Sequence, residues 1–220
     1  MKTSSGALGA VLLAAALILS TSVPALAAPR TPSPIPRRVC LDSGHGGADP
    51  GATYGALREK DLTLDIANRL GTLLLNAGAG FSVVMTRTDD RALGNTERAT
   101  VCNDARADVV LSIHLNGSTD ASVDYFQAFY GKRAKDAAFT QAISDSYSLT
   151  KPDGTGPLPK HAPTNFASGL LLKTKAPACL AETVFLTNPS EAAQLGDGIR
   201  TRQQHIAEQL FNGLRAWYRV

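Results

Sequence analysis

The sequence predicts an α/β layered domain with a largely parallel β-sheet. Two observations support this fold class. Short apolar and β-branched runs alternate with longer segments whose apolar residues recur at helical spacing. Glycine-rich and polar turns separate the two kinds of segment. Strands that alternate with helices of about ten residues or more are typical of α/β domains with a largely parallel sheet.

The first part of the chain is predicted to be a targeting segment. Lys2 is followed by an apolar run at residues 8–19 and by small residues that end at Ala28. This order is typical of a secretory signal peptide, which we predict at residues 1–28. An uncleaved N-terminal anchor is the alternative, although the run is short for a membrane span. No later stretch is long and apolar enough to cross a membrane, so we expect a secreted or periplasmic protein.

A proline-rich linker and one domain are predicted to follow. Residues 29–36 (PRTPSPIP) contain four prolines in eight residues, which favours an extended tether. Residues 37–220 have no internal repeat and suit a single domain with a sizeable core. The chain has 22 basic and 19 acidic residues, a surplus too small for a nucleic-acid binder. We expect a monomer.

The elements of this domain follow from the apolar pattern. A strand at residues 39–42 ends in a glycine-rich loop, and the helix at 61–77 has apolar residues at helical spacing before Gly78. The β-branched run at 81–86 predicts a strand. In the rest of the chain we predict strands at residues 108–114, 125–130, 170–172 and 178–185, and helices at residues 97–107, 136–149 and 201–218.

Three cysteines follow the predicted signal peptide: Cys40, Cys102 and Cys179. Export would permit a disulfide, but an odd number leaves at least one thiol unpaired within the chain. Their spacing matches no zinc–thiolate pattern. We interpret them as small buried apolar side chains rather than as a disulfide pair.

Polar residues that end or follow the apolar runs are the candidates for chemistry, because ligands bind at the carboxyl ends of parallel strands. A catalytic zinc site needs about three protein ligands, commonly two histidines and a carboxylate. The candidates are His45 in the glycine-rich loop, Glu59 at a helix start and His114 at a strand end. Two structural alternatives stay open: Glu59 as an N-terminal helix charge and His114 as a polar strand cap.

Glu182 interrupts the apolar run ACLAETVF, which should be buried. Burial of an unpaired carboxylate is costly, so this group is expected to be protonated, paired or close to a cation. A structural salt bridge is one interpretation. The other interpretation is that Glu182 is a general base, which takes a proton from zinc-bound water.

These residues lie in a series of segments: DSGHGGADPGA, REKD, TRTDD followed by ERATVCNDARADVVLSIHLN, and PACLAETVFLTNPSEAAQL. In these segments the sequence resembles the zinc-dependent N-acetylmuramoyl-L-alanine amidases of the type-3 (AmiC-like) family. The segments occur in the family's order and cover nearly all of residues 38–218. The resemblance implies a central, mostly parallel sheet flanked by helices, Zn²⁺ bound by His45, Glu59 and His114, and Glu182 as the catalytic glutamate.

The implied substrate is bacterial peptidoglycan or a muropeptide, cut at the amide between N-acetylmuramic acid and L-alanine. Asp42 is expected to orient the first loop or a ligand, and Asn116 to contact substrate or stiffen its loop. Residues 150–168 either cover the groove and select stem peptides or form a surface loop without a role. A zinc peptidase acting on the stem, and a wall-binding or activator protein without turnover, are the alternative functions. The sequence does not identify an activator protein.

Overall fold

The computed structural model describes residues 37–220 and Met1. The predicted signal peptide and linker (residues 1–28 and 29–36) otherwise lie outside the described residues. The strands are β1 (Arg37–Ser43), β2 (Thr53–Tyr54), β3 (Leu57–Arg58), β4 (Phe81–Met85), β5 (Val109–Asn116), β6 (Gln127–Tyr130), β7 (Thr164–Asn165) and β8 (Ala178–Phe185). The helices are α1 (Glu59–Asn76), α2 (Asn95–Asp104), α3 (Arg133–Ser146), α4 (Gly169–Lys173), α5 (Pro189–Leu195) and α6 (Thr201–Tyr218).

Six strands form one sheet in the order β4-β1-β5-β8-β6-β7. β1 is parallel to both β4 and β5, and β5 is parallel to β8. β6 runs antiparallel to β8 and parallel to β7. The prediction of a mostly parallel sheet in an α/β domain is therefore confirmed.

The larger part of the core lies between one sheet face and helices α1, α3 and α6. Helix α1 buries Ile66, Leu70 and Leu74 completely, and α6 buries Leu210 and Leu214. These residues recur four apart, so each helix presents one apolar stripe to the core. Burial of each such side chain stabilises the fold by about 1.5–3 kcal/mol.

The opposite face of the sheet is covered less fully, by α2 and α4. Val110, Leu171, Ala178 and Leu180 form a smaller apolar cluster there with two of the cysteines. This cluster underlies the first part of the strands only. The carboxyl ends of β1, β5 and β8 therefore border a cavity instead of packed apolar side chains.

The prediction of a strand at residues 170–172 is wrong, because these residues belong to helix α4. Leu170 and Leu171 are buried, and a short apolar run of this kind fits a strand or a buried helical turn equally well. Helix α1 begins at Glu59, two positions before the predicted start. The sequence pattern also missed α5, which Asn188 caps by accepting hydrogen bonds from the amides of Ser190 and Glu191.

Cys40 in β1 and Cys102 in α2 form a disulfide. The interpretation of all three cysteines as unpaired apolar side chains is therefore wrong for these two. It holds for Cys179, which is free and buried. The disulfide joins the strand that leads to His45 to the helix that borders the cavity.

Reduction of this disulfide should lower the melting temperature of the protein by about 10 °C. The bond joins residues that are 62 positions apart in the chain. By lowering the conformational entropy of the unfolded chain, a bond across such a loop stabilises the folded state by about 4 kcal/mol. Calorimetry with and without a reductant measures the effect. The double variant Cys40→Ala/Cys102→Ala is the control, because its melting temperature should not respond to the reductant. An unchanged wild-type melting temperature after complete reduction would contradict the prediction.

Candidate active site

The candidate residues meet at the carboxyl edge of the sheet. His45 follows β1, while His114 and Glu182 lie opposite each other in the parallel register of β5 and β8. Asp42 and Ser112 pair in the preceding row. Ser112 and His114 share a face of the sheet because they are two apart in β5. These two residues line one cavity together with Asp42, His45 and Glu182.

Two glycines let the backbone approach the candidate ligands closely. A Cβ atom on Gly44 would lie 2.3 Å from Cε1 of His114, and one on Gly51 would lie 2.4 Å from Oε2 of Glu59. His45 itself has a φ of +59°, in the left-handed region that residues other than glycine rarely adopt. Larger residues at Gly44 and Gly51 would therefore collide with the candidate ligands.

His45, Glu59 and His114 surround one point. Oε1 of Glu59 lies 3.1 Å from Nε2 of His45 and 2.9 Å from Nδ1 of His114, and the three ligand atoms lie within 4.8 Å of one another. The amides of Ala52 and Leu115 donate hydrogen bonds to the two Glu59 oxygens, at 2.8 and 3.0 Å. Glu59 is therefore more than a helix-terminal charge, and the three side chains could hold a metal ion.

The charges of this cluster depend on one another. Burial alone would raise the pKa of Glu59, but hydrogen bonds and charges from His114 and His45 lower it to about 2. Burial alone would lower the pKa of His45, but the hydrogen bonds and charges of Glu59 and Asp49 raise it to about 9. In the protein without a metal, the protonated imidazole of His45 balances the buried carboxylate. A metal cation can replace this proton.

Glu182 lines the same cavity, of about 610 Å³, as His45 and His114. Its Oε2 atom is buried and has no hydrogen-bond partner among residues 37–220. Burial raises the pKa of this carboxyl to about 7, against a smaller opposing effect of His114. A carboxyl group with a pKa near neutrality and a free oxygen can both accept and donate a proton.

Of the two further candidates, Asp42 lines the cavity, whereas Asn116 is not among the residues that line it. Asp42 is buried and accepts hydrogen bonds from Thr86, Arg98 and Ser112, contacts that suit an orienting role. Asn116 accepts a hydrogen bond from the amide of the next residue, Gly117, at 2.8 Å.

Sequence reasoning did not single out Asp49. Its Oδ2 lies 2.8 Å from Nδ1 of His45, so this carboxylate fixes the orientation of the imidazole ring. The available sequence signal was its place four residues after His45 in the same glycine-rich segment.

The cavity has two walls. One is the loop and helix start at residues 93–95, and the other is the segment 166–170. The half-exposed Phe166 ring packs against Phe129, with ring centroids 5.4 Å apart. Within the segment 150–168, residues 166–168 border the cavity, whereas His161 stacks on Tyr125.

The fold and the donor cluster define a class of protein: an enzyme with an α/β domain, in which His45, Glu59 and His114 could hold a metal ion. Residues 39–216 match the family described as N-acetylmuramoyl-L-alanine amidase, and the chain belongs to that family. Its activity is accordingly that of an amidase of cell-wall peptidoglycan.

Known relatives agree with this assignment. The chain is 31% identical over 195 residues to the germination-specific N-acetylmuramoyl-L-alanine amidase of Bacillus subtilis, covering 82% of this chain and 79% of that protein. The structure of an N-acetylmuramoyl-L-alanine amidase from Clostridium difficile 630 is similar with a TM-score of 0.75 and 28% identity, over 84% of this chain and 97% of that one. The CwlD amidase from Clostridioides difficile, solved in complex with the GerS lipoprotein, has a TM-score of 0.69 and 26% identity, over 83% and 98%.

Proposed function

We propose that this amidase is zinc-dependent, with His45, Glu59 and His114 as metal ligands and Glu182 as the catalytic base. The observation that carries the proposal is the convergence of three ligand atoms within 4.8 Å of one another. Beside them lies a buried oxygen of Glu182 that has no hydrogen-bond partner in the described part of the chain. The bond cut is the amide between N-acetylmuramic acid and the L-alanine of the stem peptide.

The donor set fits zinc. Two imidazole nitrogens and one carboxylate are a common ligand set of catalytic zinc, which keeps one further position open. When bound, the ion acts as a Lewis acid that makes water more acidic and stabilises negative charge on the substrate carbonyl. Asp49 holds the ring of His45 through Nδ1, which leaves Nε2 directed towards the other two ligands.

Glu182 would transfer the proton. Its free Oε2 accepts a proton from the attacking water while the carbonyl carbon of the substrate forms its new C–O bond. The same carboxyl then donates that proton to the L-alanine nitrogen as the C–N bond breaks. In the metal-free protein, burial raises the pKa of Glu182 to about 7, and a buried carboxylate of this kind is a stronger proton acceptor than an exposed one.

The products identify the reaction. Residues 37–220, purified and incubated with a synthetic muramyl peptide, should release the intact stem peptide with a free L-alanine amino group, as measured by mass spectrometry. A chelator should abolish the release and added zinc should restore it. Shortened stem peptides would instead establish a peptidase, and cleavage that survives complete zinc removal would contradict the metal dependence.

Domain organisation and location form part of the proposal. We infer that residues 1–28 direct export and that residues 29–36 tether the amidase domain, because peptidoglycan lies outside the cytoplasm. Within the described residues, no helix is long and apolar enough to cross a membrane. The complex of CwlD with GerS supports a test for activation by a lipoprotein partner. Full turnover of the purified chain alone would exclude such a requirement.

Phe166 is proposed to contact the substrate, because its ring is 50% exposed on the cavity wall. Phe166→Ala should raise the KM for the muramyl peptide about fivefold, equivalent to roughly 1 kcal/mol of lost apolar contact, with kcat unchanged. Leu172→Ala is the matched control, since Leu172 is 37% exposed nearby but does not line the cavity. Steady-state kinetics of both variants decide the matter, and an unchanged KM in Phe166→Ala would contradict the contact.

A further inference from the structure

The loop that carries His45 has nearly all of its carbonyl groups held by cationic side chains. This loop, residues 43–47, follows β1 and includes the left-handed backbone of His45. Such a conformation is costly for a residue with a side chain, and it persists only where the surroundings determine it. The contacts of the loop therefore indicate what keeps His45 in place.

Three cations and one hydroxyl account for most of these contacts. The carbonyl of Ser43 accepts hydrogen bonds from Arg87 and Arg98, at 3.0 and 2.7 Å. The carbonyl of Gly44 accepts from Arg87 and from the Thr63 hydroxyl, at 2.8 and 3.0 Å. On the far side of His45, Lys60 donates to the carbonyl of Gly47 at 2.8 Å.

Among the side chains that the structure describes, only Arg98 donates to the carbonyl of His45, through a hydrogen bond of 2.6 Å from Nη2. Its Nη1 donates to Oδ1 of Asp42 at 2.8 Å, and its Nε donates to the carbonyl of Leu93 at 3.0 Å. One planar guanidinium thus joins β1, the His45 loop and the cavity wall before α2. A lysine has the same charge but lacks this fixed fork of donors.

Asp42, which accepts a hydrogen bond from Arg98, is itself held in place. Asp42 accepts hydrogen bonds from the hydroxyls of Thr86 and Ser112, at 2.7 and 2.6 Å. Burial alone would raise the pKa of Asp42, but Arg98 and these hydrogen bonds hold it below its ordinary value. Arg98 therefore faces a charged partner throughout the neutral pH range.

We propose that Arg98 is a positioning residue for the zinc site, which it serves by holding His45 with Nε2 directed at Glu59 and His114. The inference rests on the proposed function, because it requires that His45 bind zinc. Arg98 acts through the backbone of the loop and does not touch the ligand cluster with its own charge.

Arg98→Lys should weaken zinc binding about 10–100-fold, the usual effect of removing a contact that orients a metal ligand. This variant keeps a positive charge opposite Asp42, so it leaves no buried carboxylate unpaired. Arg98→Gln should weaken zinc binding at least as much. If that variant fails to fold, Arg98→Lys alone still tests the inference.

Arg202→Lys is the matched control. Arg202 is 3% exposed against 5% for Arg98, and it also donates hydrogen bonds through a buried guanidinium, to Glu191 and to the carbonyl of Thr150. These partners lie away from the ligand cluster. The control should lose melting temperature like any buried arginine variant but keep the wild-type affinity for zinc.

The experiment is a zinc titration of the metal-free proteins against a competing chromophoric chelator, with melting temperatures measured without zinc. Weaker zinc binding in Arg98→Lys alone supports the inference. Unchanged binding in Arg98→Lys, or an equal loss in Arg202→Lys, would overturn it and leave the proposed function intact. A wild-type protein that binds no zinc would overturn the proposed function and this inference with it.

Discussion

Glu182→Gln should lower turnover of a muramyl peptide by about 10²–10⁴-fold, the usual contribution of a general acid–base group. Glutamine has nearly the same shape but cannot accept the proton of the attacking water. Because Glu182 is not one of the three clustered ligands, the variant should keep its zinc. Steady-state kinetics together with elemental analysis measure both properties on the same preparation.

A second buried glutamate provides the control for this variant. Burial also raises the pKa of Glu191 to about 7, but its carboxylate pairs with Arg202 away from the cavity. Glu191→Gln should reduce stability and keep the turnover of the folded protein. Wild-type turnover in Glu182→Gln would end the assignment of Glu182 as the base.

His114→Ala should lose its metal. Its turnover should fall to that of wild-type protein from which a chelator has removed the metal. Loss of one of three ligands leaves Glu59 and His45 as an incomplete set, and catalytic zinc needs about three protein ligands. Added zinc should restore the chelated wild-type protein but not the variant. His45→Ala should behave in the same way.

The control for the ligand variants is His205→Ala, because His205 is exposed on α6. It should retain both zinc and turnover, as measured by elemental analysis and product release. If His114→Ala kept stoichiometric zinc and full activity, the proposed ligand set would be contradicted.

The fold was predictable where local pattern and tertiary packing agree. Residues 178–185 and 201–218 were predicted with the observed bounds, because a buried strand and an amphipathic helix have strong periodicity. Residues 170–172 were assigned wrongly, since three apolar residues carry no period. Helix α4 forms there because it buries Leu170 and Leu171, the latter in the smaller apolar cluster.

The candidate cluster could be anticipated in part. The rule that ligands bind at the carboxyl ends of parallel strands selected His45, His114 and Glu182, but the approach of Glu59 depends on how α1 packs against the sheet. The hydrogen bonds of Arg98 and the disulfide were not predictable from spacing. Both depend on contacts between segments more than 50 residues apart in the chain, such as that of Arg98 with Asp42, 56 residues away.

The most direct test of the account is a crystal structure of the zinc-loaded protein with anomalous data collected on both sides of the zinc absorption edge. The account predicts one strong zinc peak bound by Nε2 of His45, the carboxylate of Glu59 and an imidazole nitrogen of His114, with Glu182 close by but not a ligand. An active protein with no zinc peak at these three residues, or with its zinc bound elsewhere, would contradict it.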